Sequence, residues 1–393
     1  MLRQHSTRLL LACALGVALS TLSACSIFKG DEDPNPPAKL ERFKASIKVK
    51  KAWSSGVGDG TELLHLSLGP SVNGNMVVAA AHDGKVVAFN AENGKRLWRT
   101  KTDLPLSGGT AVNDGLVAVG SNSGFVVALS AENGKELWRA PMSGEVLAAP
   151  AIGGGQVLVR TVDGKLSALS ATDGKLLWFV QQSVPRLTLR GTSGPVINGQ
   201  AVVCGFDNGR LAAYDMASGD EFWNVMLAPP SGRTEIERLI DINSLPVIVG
   251  RDIFAVSYQG RLAGIALEGG QLLWSVDVSS YNGIAADYTS VYATATNSEI
   301  SAHSNGSGRE LWRNTQLLNR DVTSPVLQKK SLVVGDFQGY LHWIDPLTGQ
   351  LQARAKTGGD PIAGDPVVAN DRLFVMTEDG KLVSYRIVDS KRK

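Results

Sequence analysis

The sequence predicts an all-β fold: an eight-bladed β-propeller of four-stranded antiparallel blades, closed by pairing the N-terminal strand with the last blade. Three observations carry this expectation. The stretch AENGKELW at 131–138 returns as AENGKRLW (91–98), ATDGKLLW (171–178), ASGDEFW (217–223), LEGGQLLW (267–274), GSGRELW (306–312) and LTGQLQA (347–353). Its tryptophans, with a first one upstream, are Trp53, Trp98, Trp138, Trp178, Trp223, Trp274 and Trp312, in steps of 38 to 51 residues. A propeller blade takes ~40–50 residues. Finally, the two ends are complementary: the last repeat stops before a Trp strand, and the first Trp strand has no inner strands before it.

Residues 1–24 read as a secretory signal. Arg3 and Arg8 precede an apolar run from Leu9 to Leu19 that ends in Leu22-Ser23-Ala24-Cys25, too short to span a membrane. This ending resembles the bacterial lipobox, which implies acylation of Cys25. Ser26 stands where Asp would signal retention in the inner membrane, so outer-membrane sorting follows from the resemblance. Several acyl chains anchor firmly at ~0.8 kcal/mol per buried methylene. Residues 25–45, with DEDPNPP at 31–37, lack periodicity and are expected to form a flexible tether.

The propeller is expected over 46–388. Within a repeat, a short inner strand precedes an apolar second strand such as MVVAAA (76–81). A two-residue turn follows: Asp83-Gly84, Ser123-Gly124, Asp163-Gly164, Asn208-Gly209, Gln259-Gly260, Gln338-Gly339 or Asp379-Gly380. Such pairs supply the positive φ that a tight hairpin requires. Copy six has Asn297-Ser298 instead. The third strand then leads through an ENGK-type turn to the outer strand that ends at Trp. A large ring at one fixed place per repeat is expected to fill the seam between blades. Copy seven carries Ala353 there, and Trp343 in the preceding strand is the candidate filler.

Composition narrows the function. Once the signal is removed, 37 basic face 37 acidic side chains, so no field attracts nucleic acid or an anionic bilayer. The basic tail at 389–393 reads as a solvated terminus. Cys204 is the only cysteine of the mature chain besides Cys25, and its strand AVVCGF makes it a small buried hydrophobe. No nucleophile motif, phosphate loop or metal-ligand spacing is present, and the histidines at 65, 82, 303 and 342 are scattered. The sequence therefore predicts no catalytic residue, no metal and no cofactor.

The A-x-[ND]-G-K-x-x-W repeat resembles the tryptophan-docking motif of quinoprotein dehydrogenases. Those enzymes carry an adjacent-cysteine disulfide that this chain lacks, so the shared motif indicates shared packing. Lipobox, tether, eight such repeats and total length together resemble the BamB family, propeller lipoproteins of the machinery that assembles β-barrels in the outer membrane of Gram-negative bacteria. The resemblance covers residues 1–387.

Length and geometry mark one face of the ring. The longest connections between blades are 181–194, 227–244 and 276–283, on adjacent blades. Extra length on one face of a repeat protein marks a binding surface. The resemblance implies that two of these loops contact the periplasmic POTRA domains of BamA. Its Leu-x-Leu-Arg-Gly motif matches Leu187, Leu189, Arg190 and Gly191; its Asp-x-Asp-like motif matches Asp241 and departs at Asn243, which loses a charge. The expectation is that Leu187, Leu189 and Arg190 insert against the partner while Asp241 orients Arg190 or pairs with the partner. Other subunits of the complex and unfolded outer-membrane proteins, the latter by strand addition, are the further partners implied. Two readings compete: a propeller that binds cell-wall polysaccharide, and a quinone-dependent dehydrogenase.

Overall fold

The computed structural model describes residues 33–62, 64, 66–358 and 360–388; Cys25, the signal sequence and the tail at 389–393 lie outside them. Thirty-two strands form eight four-stranded sheets, every pairing antiparallel. In chain order the blades span 71–101, 106–141, 151–181, 196–226, 247–277, 283–314 and 326–356. The eighth combines three C-terminal strands, 362–388, with the outer strand Lys48–Gly56, which pairs along the whole of Lys381–Val388.

Second and third strands are short β-branched runs buried on both faces. Met76–Ala80 and Lys85–Asn90 are an example: Val77, Val78, Val86 and Val87 are all fully covered. Each sheet is too small to bury its own faces, and the apolar clusters accordingly straddle neighbouring blades. The tight turns between these strands take positive φ at Gly in most blades. Where Gly is missing or displaced, Gln259 (φ 46) and Ser298 (φ 67) adopt it themselves.

The tryptophans act from one blade to the next. The Trp98 indole donates to Ala131 O at 2.8 Å, Trp138 to Ala171 O at 2.8 Å and Trp178 to Met216 O at 2.9 Å. Trp53, Trp223, Trp274 and Trp312 do the same to Ala91, Leu267, Asn305 and Pro346. In each case the ring also lies flat on the turn glycine of the next blade. A Cβ on Gly134 would stand 2.5 Å from Trp98, and one on Gly349 would stand 2.5 Å from Trp312. The motif is thus two halves of one joint, with Trp on one blade and its Gly turn on the next.

This explains Ala353. The outer strand of blade eight comes from the other end of the chain, so no turn exists there for a tryptophan to cover. Trp343 fills that seam instead: it is fully buried, donates to Gln328 Oε1 at 2.8 Å and packs 5.8 Å from Tyr385. Gln328 Nε2 crosses to Asp371 O and Tyr385 O in blade eight.

The pairing of third with outer strand slips by one residue in each of blades one to seven, just beyond the Trp or Ala353 partner. The skipped residues Leu97, Leu137, Leu177, Phe222, Leu273 and Leu311 are 44–54% exposed. Bulges of this kind twist an edge away from further pairing.

Of the stretch 25–45 expected to form a tether, residues 25–32 lie outside the described residues and 38–45 are docked. Residues 38–46, irregular in structure, lie on blade seven: Ala38 N donates to Leu318 O and Ser46 N to Gln352 O, both at 2.9 Å. Leu40 packs against the cluster containing Leu317 and Val322. The polar composition of the stretch concealed this docking, because its hydrogen bonds are made by the backbone.

Candidate functional site

All connections from an outer strand to the next inner strand share one face with the turns between second and third strands. Backbone contacts such as Ile242 N to Phe206 O and Asn319 N to Asn297 O knit these turns to the loops above them. The loops 182–195 and 227–246, which precede blades four and five, are neighbours on that face.

The structure brings both predicted motifs together, with roles that differ from the expectation. Leu187 is 40% exposed and the Arg190 side chain 53% exposed, whereas Leu189 is half-buried. Asp241 is fully buried. It neither orients Arg190 nor faces a partner: its Oδ2 accepts the Leu189 amide at 3.3 Å. Arg190 instead lies 3.9 Å from Glu145, on the connection into blade three. The carboxylate thus fixes the backbone between the two leucines from beneath. The loop needs such support because it has no ladder of its own. Asn243, half-buried, stands beside Gly191, with its Oδ1 covered.

The polar floor under these loops is poorly saturated. Asp207 Oδ1, Asp241 Oδ1, Asn243 Oδ1, Thr192 Oγ1 and Ser244 Oγ are buried without a hydrogen-bond partner among the described residues. Burial, with Asp207 as a second negative neighbour, pushes the Asp241 carboxyl up to about 6, against the lowering effect of the Leu189 amide. Asp207 itself is raised by burial although Arg160, fully covered, sits 3.0 Å away. Arg160 also stacks 4.8 Å from the Phe206 ring and donates to Thr161 O. Sequence reading missed Arg160, Asp207 and Glu145, since single charges in strand ends and turns carry no motif.

Cys204 adjoins this floor and is fully buried; burial pushes its thiol up to about 12, which leaves it inert. Among the described residues no three His, Cys, Asp or Glu side chains group as metal ligands. Within the Leu-x-Leu-Arg motif the side chains that face solvent are Leu187 and Arg190, an apolar group and a guanidinium on a supported loop, which suit protein recognition.

Comparisons with known proteins bear on the family of the whole chain. A family model described as outer membrane protein assembly factor BamB matches residues 50–107, 82–314 and 296–393. The outer membrane protein assembly factor BamB of Alkalilimnicola ehrlichii is 45% identical over 389 residues, 99% of each chain. The crystal structure of BamB from Moraxella catarrhalis superposes with a TM-score of 0.80 at 26% identity, over 86% of this chain and 100% of that one. The quinohemoprotein alcohol dehydrogenase ADHIIG of Pseudomonas putida matches at TM-score 0.68 but 12% identity, over 88% and 77% of the two chains, and shares the fold alone.

Proposed function

The chain belongs to the BamB family of outer membrane protein assembly factors, and from that premise we propose that it is a non-catalytic scaffold of the barrel-assembly complex. It is held at the periplasmic face of the outer membrane by acyl chains on Cys25 and docks on the POTRA domains of BamA. Leu187 and Arg190 make the contact, and Asp241 sets the backbone that presents them. The observation that carries this reading is the pairing of an exposed Leu-x-Leu-Arg loop with a buried carboxylate bonded to its central amide. An exposed leucine gives the contact an apolar centre, and Arg can bind a carboxylate in bidentate fashion. Capture of BamA from mild detergent by wild type and by Arg190→Glu tests it. Loss of BamA with unchanged folding supports the site; undiminished capture moves it elsewhere.

A second role, strand addition of unfolded outer-membrane proteins, is confined to the regular stretches of the outer strands beside the bulges, where the half-exposed Leu and Phe side chains offer apolar contact to an added strand. Slowed amide exchange in one outer strand on adding an unfolded barrel peptide is the sign required; uniform exchange removes the idea.

A further inference from the structure

Blade seven differs from blades one to six at its bulge and in its charges. Its skipped outer-strand residue is Gln352, where blades one to six expose Leu or Phe. The Gln352 carbonyl, freed from the ladder by the bulge, receives Ser46 N at 2.9 Å. Above it runs a chain of hydrogen bonds that begins and ends on the N-terminal segment. Arg354 Nη1 donates to Glu41 O at 3.0 Å, and Arg354 Nε donates to His342 Nδ1 at 3.2 Å. With Nδ1 accepting, His342 carries its proton on Nε2 and donates it to Asp336 Oδ2 at 3.0 Å. Arg320 Nε donates to the same Oδ2 at 2.9 Å, and Arg320 Nη1 returns to Ala38 O at 3.0 Å. Arg320, Asp336 and His342 are almost fully buried. Apolar contacts add to the grip: Leu40 against Leu317 and Val322, and Phe43 under the Arg354 guanidinium at 5.2 Å.

We propose that residues 38–46 form a strap latched onto blade seven, and that Arg320, Asp336, His342 and Arg354 are its receiving site. The strap runs from the foot of the outer strand, at Gln352, to the loop at Leu318 on the face that carries the long connections. Latching makes the chain leave the propeller at Ala38 on that face, rather than at Ile47 on the opposite one. One consequence rests on the proposed anchor at Cys25. A latched leash has about 13 residues and reaches at most ~45 Å, whereas a released one has about 22 and reaches ~75 Å. The latch therefore sets how far the recognition face can stand from the membrane.

Hydrogen exchange of the full chain in detergent, read on peptides covering 38–46, tests the latch. In wild type the amides of Ala38 and Ser46 should be protected. Arg354→Ala, which removes both links to the strap's middle, should speed exchange of these peptides about tenfold or more while 381–388 stays protected. Leu40→Ser, which leaves the charged relay intact, should act in the same direction. Wild-type strap peptides exchanging as fast as in both variants would overturn the proposal. The anchor reading fails separately: release of wild type from membranes without detergent would sink it and leave the exchange result standing.

Discussion

Two buried aspartates on the same face of the ring have opposite surroundings. Asp336 in blade seven receives Arg320 and His342 on one oxygen and the Gln338 and Tyr340 amides on the other, both at 2.9 Å. Burial would raise its pKa, yet these bonds, His342 foremost, hold it below the usual carboxylate value. Asp241, below the recognition loops, receives one amide, leaves one oxygen unpaired and is pushed up to about 6. A buried charge is tolerated only when paired and hydrogen-bonded. The first site is therefore a structural clamp, and the second is a support under the loop that carries the proposed docking residues.

The largest effect should come from breaking the saturated site. Asp336→Ala strands the buried Arg320 and removes the His342 partner, and breaking one side of a buried pair costs about 3–5 kcal/mol. Thermal unfolding should show a clear fall in Tm, and a change of under about 1 kcal/mol would mean that Asp336 contributes little. The same removal in the other region should act differently. Asp241→Asn keeps an acceptor for the Leu189 amide and removes a charge that burial disfavours, so it should stabilise by about 1–3 kcal/mol above pH 7. A fall in stability there would show that the ionised form is favoured.

The two regions should also respond to acid with opposite sign. His342 is held neutral by burial, its pKa below the histidine value of 6.5. Asp336, Arg354 and Arg320 are the charged groups around it. Its contribution is intact above 6.5 and is lost as pH falls from there towards the folded value, because protonation removes the acceptor that Arg354 uses. Asp241, with its folded pKa near 6 against 3.8, costs stability when ionised and is relieved as pH drops from 7 through 6. Corrected for the intrinsic fall of amide exchange with pH, protection of the strap peptides should drop between pH 7 and 5 while protection of 187–191 rises. Parallel changes in both segments would refute this contrast.

The seams repeat the lesson at the level of the repeat. Seven tryptophans were legible because each joint recurs with the period of the blade, and closure was legible because the two ends lack complementary parts. Ala353 was readable as a departure, and the Trp343–Gln328 substitute explains it through side chains that belong to no motif. Leu187, Leu189, Arg190, Asp241 and Asn243 could be placed by loop length and resemblance. Which of them faced solvent was not legible. Burial of Asp241 depends on Phe206 and Tyr258, backbone partners of the 241–242 segment from two different blades. The strap was hidden for a related reason, since backbone carbonyls at Ala38 and Glu41 make its bonds and any sequence offers those.

Leu187 sharpens the contrast at its smallest scale. It stands on the supported loop, 40% exposed and outside every buried cluster, so the fold gains little from it. Leu187→Ser should shift stability by no more than about 0.5 kcal/mol, as for other surface positions away from special features. Leu189, half-buried on the amide that Asp241 holds, should cost more when changed in the same way. If Leu187 belongs to the docking surface, its replacement should weaken BamA capture about tenfold or more at unchanged Tm, since truncated apolar anchors at interface centres cost 1 kcal/mol and above. A fall in Tm with unchanged capture would instead make Leu187 a pin of the loop to its blade, and would leave Arg190 as the exposed contact of the motif.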